Sequence, residues 1–189
     1  MAFRRYTNSR ASAHGGHDVI ETSNTFLSGF LHPLFGLDHV MAMVAVGLWG
    51  AFLRKPAIWQ LPVIFPMMMA FGGALGIAGV QIPAVEFGIA LSSIVLGIMV
   101  ALGARVHLEI AYFLVGIFAI FHGHAHGTEL PSAAAPLVYS FGFVVSTGLL
   151  HLAGVGVGML AEKPERVKFV KAVGVAIVFG GTAFLFGIA

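Results

Sequence analysis

Residues 84–104 read AVEFGIALSSIVLGIMVALGA, an uninterrupted apolar stretch in which Glu86 is the one charged side chain. A helix needs about 20 apolar residues to cross the hydrocarbon core of a bilayer, which is about 30 Å thick. A helix also satisfies its own backbone polar groups where no water is present. The stretch therefore predicts a membrane-spanning α-helix.

The rest of the chain has the same character, because 58% of its 189 residues are hydrophobic and 10% are charged. Its mean hydropathy of +0.95 is too high for a water-soluble globule. Continuous apolar runs argue against the alternating segments of a β-barrel. We therefore predict an all-α fold, a polytopic membrane helix bundle with about six transmembrane helices, at residues 26–53, 57–80, 84–104, 107–124, 131–160 and 169–188.

The start of the chain differs from the rest. Residues 1–25 are expected to form a flexible extension, and residues 26–189 a single six-helix transmembrane domain. Three arginines precede Ala11-Ser12-Ala13, as at the two ends of a secretory signal peptide whose apolar middle is missing. We interpret the extension as a signal-peptide remnant or a tag; cleavage after residue 13 would place His14 and His17 at the new N-terminus.

Basic residues are distributed unevenly among the predicted loops. They follow spans one, three and five but not spans two and four: Arg54, Lys55, Arg105, Lys163, Arg166, Lys168 and Lys171. The positive-inside rule places these loops in the cytoplasm, so both termini are predicted outside. A net charge of +2 does not suit nucleic acid binding, and no Walker-type phosphate loop is present, so neither nucleic acid nor nucleotide is expected as a partner.

The first polar cluster lies at the start of span one and contains His32, Asp38 and His39. An aspartate within a span costs about 2.5–3.5 kcal/mol, so Asp38 should face a partner or a hydrated cavity, and the adjacent imidazole makes a metal-binding pair. Pro33 predicts that the regular helix begins near it. His32 would then lie in an approach segment that folds back toward the pair or forms a separate outer site.

The second cluster lies at the end of span four, where His122 and His126 are one helical turn apart and can share an ion. His124 points elsewhere if the helix continues. Both clusters lie on the predicted outer side, together with Glu86. For each cluster, hydrogen-bonded core histidines or a solvated loop are the alternative interpretation.

Other residues have weaker signals. His107, Glu109 and His151 lie toward the opposite side and are a candidate exit station, although a hydrogen bond to a neighbouring helix would also explain His151. Phe121 is expected to pack or gate beside the histidines. The 25 glycines predict close helix packing, and the absence of cysteine leaves histidine, carboxylate, methionine and backbone oxygen as metal ligands.

These clusters resemble the signatures of the HupE/UreJ family of nickel permeases. The family's first-span signature, His, five residues and Asp-His, is matched by His32, Asp38 and His39. Its span-four signature is Phe-His-Gly, one variable residue, Ala or Val, His-Gly, one variable residue and Glu. Residues 121–127 and Glu129 match it, with His124 in a variable position. The resemblance extends over essentially all six spans.

The resemblance implies uptake of Ni²⁺ through a bacterial inner (plasma) membrane to supply nickel enzymes such as hydrogenase or urease. It implies transport and not catalysis, with Ni²⁺ as the transported ion and no prosthetic group. The functional residues that it implies, with Glu86 added from its place on the outer side, are His32, Asp38, His39, Glu86, His122, His126 and Glu129.

Ligand types alone leave the metal open, so Co²⁺, Cu²⁺ or Zn²⁺ could replace Ni²⁺. A metal-binding membrane sensor or a subunit of a larger transporter is a further alternative. A membrane zinc hydrolase is disfavoured, because the helical His-Glu-x-x-His signature is absent from the sequence. A homo-oligomer and the mode of energy coupling stay open.

Overall fold

The computed structural model describes residues 25–129 and 136–188, and in these ranges the fold is all-α, as predicted. The predicted extension lies outside them, with His14 and His17, except for Thr25. Two short 3-10 helices, Leu160–Glu162 and Pro164–Arg166, join the last two α-helices. The α-helices are α1 (Thr25–Phe35), α2 (Leu37–Leu53), α3 (Ala57–Ile77), α4 (Val85–Leu102), α5 (Leu108–Thr128), α6 (Pro136–Met159) and α7 (Val167–Leu185).

The helices α3 to α7 are each associated with a segment that is long and apolar enough to cross a membrane. The helices α1 and α2 meet that requirement only as a pair, and their axes differ in direction by 78°. The described part of the chain thus contains five spans, or six if the bent pair is one. This is a multi-pass membrane protein.

The first predicted span is broken at Gly36. Helix α1 continues through Pro33 to Phe35, and Gly36 has an extended conformation (φ −85°, ψ 104°) before α2 begins. The prediction that the helix begins near Pro33 is wrong. The turns before the proline pack on α6, where Gly29 lies directly against the Tyr139 carbonyl, and this tertiary contact holds them helical. His32 therefore lies in the last turn of α1 and not in an irregular approach segment.

Helices α3 and α5 approach until their backbones touch. A Cβ atom on Gly123 would overlap the Met69 carbonyl oxygen, and one on Gly127 would overlap that of Gly73. Small residues at such positions let membrane helices gain van der Waals contact, since the lipid supplies no hydrophobic force between them. The expected close packing is confirmed here, and it positions the histidines of α5 beside α3.

The basic loops meet at one end of the bundle. The indole Nε1 of Trp49 in α2 donates to the Ala104 carbonyl at 2.9 Å, and the Lys171 ammonium of α7 donates to the Leu102 carbonyl at 3.0 Å. These bonds join the end of α2, the end of α4 and the start of α7. The histidine clusters lie at the start of α2 and the end of α5, which is the opposite end.

We predict that Gly123→Ala destabilises the bundle, because the added methyl group must push α5 away from the Met69 carbonyl. Overpacking of this kind costs about 1–3 kcal/mol. The matched control is Gly156→Ala in α6, where an added Cβ meets nothing within 4 Å. Unfolding of the two purified variants in detergent measures the difference. Equal stability of Gly123→Ala and wild type would contradict the close α3–α5 contact.

Candidate metal centre

Two imidazole rings that are 87 residues apart in the sequence meet at the centre of the cluster. The Nε2 atoms of His39, in the first turn of α2, and His126, in the last turn of α5, are 2.6 Å apart. Metal–nitrogen bonds of about 2.0–2.1 Å at right angles would place two nitrogens about 2.9 Å apart. In this hydrogen bond one Nε2 donates its hydrogen to the other. Both nitrogens could bind one ion if that hydrogen were lost and the two atoms moved apart by a few tenths of an ångström.

The ring of His32 lies beside this pair. Its centroid is 4.7 Å from that of His126 and 6.1 Å from that of His39, although His32 is exposed at the mouth of the cluster. The break at Gly36 explains this geometry, because an unbroken helix would separate residues 32 and 39 by about 10.5 Å along its axis. Three helices thus contribute one imidazole each.

The carboxylate of Asp38 lies behind His39. Its Oδ1 lies 2.9 Å from His39 Nδ1, a distance of ion-pair range without the alignment of a hydrogen bond. A carboxylate behind one ring nitrogen is the usual support for a histidine that binds metal through the other. A Cβ atom on Gly36 would lie 2.9 Å from His39 Nδ1 and 3.0 Å from the carboxylate oxygen, so the close pairing depends on this glycine.

His122 lies one helical turn deeper, about 6 Å along α5 from His126, and is fully buried. Its Nδ1 is 3.0 Å from the Phe118 carbonyl oxygen. Because a carbonyl only accepts, Nδ1 carries the hydrogen, and the lone pair of Nε2 is free. That Nε2 atom has no hydrogen-bond partner in the described structure, and the ring centroid lies 5.1 Å from that of His39.

The other predicted carboxylates lie farther out. Glu86, exposed in the first turn of α4, shares a cavity of about 250 Å³ with Asp38 and residues of α7. Glu129 is exposed at the end of α5, three residues after His126. Among the described residues, no three His, Asp or Glu side chains are already arranged around one ion position. An ion would therefore have to draw its ligands together.

Comparisons with known proteins identify the family of the chain. The sequence profile of the HupE / UreJ protein family matches residues 3–184. The chain belongs to the HupE/UreJ family. It is 42% identical over 161 residues to "Protein HupE" of Rhizobium leguminosarum bv. viciae. The aligned residues cover 85% of this chain and 84% of that protein. No solved structure matches the chain.

Two residues within the span-four signature of the family have packing roles. His124 points away from the other histidines, as predicted for a continuous helix. Its Nε2 is 2.6 Å from the Val80 carbonyl oxygen, and this hydrogen bond joins α5 to the segment between α3 and α4. The ring of Phe121 lies against Gly88 of α4, so its expected packing role is supported by this contact.

The candidate exit station is not assembled. His107 is exposed and precedes α5 at the basic end, about 22 Å along the helix from His122. His151 is fully buried, and its ring packs on Phe65, which in turn contacts His122. The described residues show no contact that joins His151 to His107 or Glu109, so the grouping of these three residues is not supported and stays a prediction.

Three further aromatic residues around the cluster were not predicted. The Phe143 ring is 4.4 Å from that of His126, and Tyr139 lies 6.2 Å from His32, both on α6. Phe65 of α3 lies 5.6 Å from His122. An aromatic residue in an apolar span has no polar signature that separates it from lipid-facing or core residues, so only the packing of the helices identifies these three.

We predict that Gly36→Ala weakens Ni²⁺ binding by about 10–100-fold, as changes behind a metal ligand do. The added methyl group would displace His39 and Asp38 from each other. Gly148→Ala, where an added Cβ meets nothing within 4 Å, is the control. Isothermal titration of both purified proteins with Ni²⁺ gives the affinities. Wild-type affinity in Gly36→Ala would argue against a site built on this turn.

Proposed function

We propose that this protein is a permease that takes up nickel(II) ions across the bacterial inner membrane for nickel enzymes. The observation that carries the proposal is the convergence of His39 and His126 Nε2, at 2.6 Å, beside His32. Imidazole nitrogen suits nickel, cobalt, copper and zinc ions, and an adjacent carboxylate offsets their charge. The choice of nickel among these ions comes from the family resemblance.

The arrangement favours transport over storage or structural binding. A structural site holds its ion in a closed set of four ligands, whereas a transport site must release it. Here His32 is exposed, and no closed set is formed among the described residues. The bend at Gly36 joins two helices that bring His32 and His39 from different directions, so a small change in the bend would separate ligands and release the ion.

The charge distribution supports a direction for uptake. The basic loops lie at the end opposite to the histidines, and basic loops face the cytoplasm in most membrane proteins. The histidine cluster would then be the external entrance, and both termini would lie outside. Glu86, Asp38 and Glu129 at that end would attract cations to the entrance.

The proposal predicts that His39→Ala abolishes Ni²⁺ accumulation in proteoliposomes, because one of the two converging nitrogens is removed. His107→Ala is the matched control, since this histidine is exposed at the other end. Competing Co²⁺, Cu²⁺ and Zn²⁺ measure selectivity. A protein that binds Ni²⁺ without accumulating it inside the vesicles would be a sensor or a subunit. Unchanged uptake by His39→Ala would refute the proposed site.

The proposed orientation is testable because the chain contains no cysteine. A cysteine at Gln81 and one at Lys163 would probe the two ends separately, since both residues are exposed. We expect a membrane-impermeant maleimide to label Gln81→Cys in intact spheroplasts and Lys163→Cys only after permeabilisation. The reverse pattern would place the histidine cluster on the cytoplasmic side.

A further inference from the structure

His151 is an ionisable side chain whose burial the entrance cluster does not explain. It has no exposed surface, and neither of its ring nitrogens has a hydrogen-bond partner in the described structure. A polar group buried without a partner is costly, and ionisable side chains inside membrane spans commonly mark ion pathways. A hydrogen bond from His151 to a neighbouring helix was the alternative explanation, but His151 has no such partner among the described residues.

The hydroxyl group of Thr147 lies on the same face of α6, one turn before His151. Thr147 has no exposed surface, and its Oγ1 has no hydrogen-bond partner among the described residues. Two other hydroxyls bond to their own helix, since Ser92 donates to the Ile89 carbonyl at 2.6 Å and Thr182 to the Val178 carbonyl at 2.8 Å. Ser146, beside Thr147, is likewise buried without a partner among the described residues. Thr147 therefore differs from the usual behaviour of hydroxyls in helices.

An aromatic ring connects these groups to the entrance. The ring centroid of Phe65 is 5.6 Å from that of His122 and 5.2 Å from that of His151, so Phe65 contacts both imidazoles. His122 also presents a free Nε2 atom. The backbone of His151 lies against Gly47, two turns or about 12 Å along α2 from His39. Side-chain nitrogen and oxygen atoms without hydrogen-bond partners thus continue from the entrance into the bundle.

We propose that His151 and Thr147 form an internal binding station for a divalent transition-metal ion on its way from the entrance histidines. The inference rests on the proposed function of the protein as a permease. An imidazole nitrogen and a hydroxyl oxygen bind such an ion weakly, and the ion keeps part of its hydration shell. Weak binding suits a site inside a conduction path, because the ion must leave it again.

The first experiment measures Ni²⁺ uptake into proteoliposomes as a function of Ni²⁺ concentration. We expect His151→Ala to lower the maximal rate at least about tenfold, while the half-saturating concentration, set by the entrance, changes less than about twofold. Thr147→Val should lower the rate in the same way but less. Thr182→Val is the control, because its hydroxyl is bonded within α7. A wild-type maximal rate in His151→Ala would overturn the proposal.

The second experiment separates metal contact from a packing role. His151→Cys introduces the one thiol of the chain, and a bound Co²⁺ ion should give a cobalt–thiolate charge-transfer band in the purified variant. Ala153→Cys is the control, since residue 153 is exposed on the outer surface of the same helix. The proposal would be overturned if the His151→Ala protein is folded but takes up Ni²⁺ slowly while His151→Cys shows no charge-transfer band. His151 would then have a packing role.

The two proposals fail in different ways. If the wild-type protein accumulates no metal ion, the permease function is refuted. If the wild-type protein accumulates Ni²⁺ and His151→Ala does so at the same maximal rate, only the internal station is refuted. The His151→Cys variant keeps the inference testable if the alanine variant does not fold.

Discussion

The break between α1 and α2 at Gly36 is the constraint on which the metal centre depends. Seven residues of continuous helix would hold His32 and His39 about 10.5 Å apart along one axis, too far to share an ion. The 78° bend instead places both rings beside His126. Gly36 also leaves room for the Asp38 carboxylate to approach the back of His39. One residue without a side chain thus sets both the ligand geometry and its support.

The second requirement is that α5 be held rigidly at the correct height. Its contact with α3 involves glycines on both helices, so the backbones touch and little sliding is tolerated. His122 and His126 lie within this contact region, while Gly123 and Gly127 form the contact itself. The sequence therefore alternates residues that pack with residues that carry polar groups. This explains how a polar cluster is placed inside an apolar bundle without loosening it.

Most of the fold could be predicted from the sequence, since long apolar runs and their basic or proline-containing ends define α3 to α7. The meeting of the histidine clusters at one end also followed from counting spans. The bend at Gly36 could not be predicted, because Pro33 is the stronger local signal and only packing on α6 keeps the preceding turns helical. The position of His151 likewise depends on how α6 lies against α2, which hydropathy does not determine.

The central claim is that histidines of α2 and α5 bind the same ion, and X-ray absorption at the nickel edge tests it most directly. Protein loaded with less than one equivalent of Ni²⁺ should show scattering from at least two imidazole rings, and loss of both His39 and His126 should remove it. A first shell of oxygen alone in the wild-type protein, or an unchanged spectrum in the double variant, would contradict the claim.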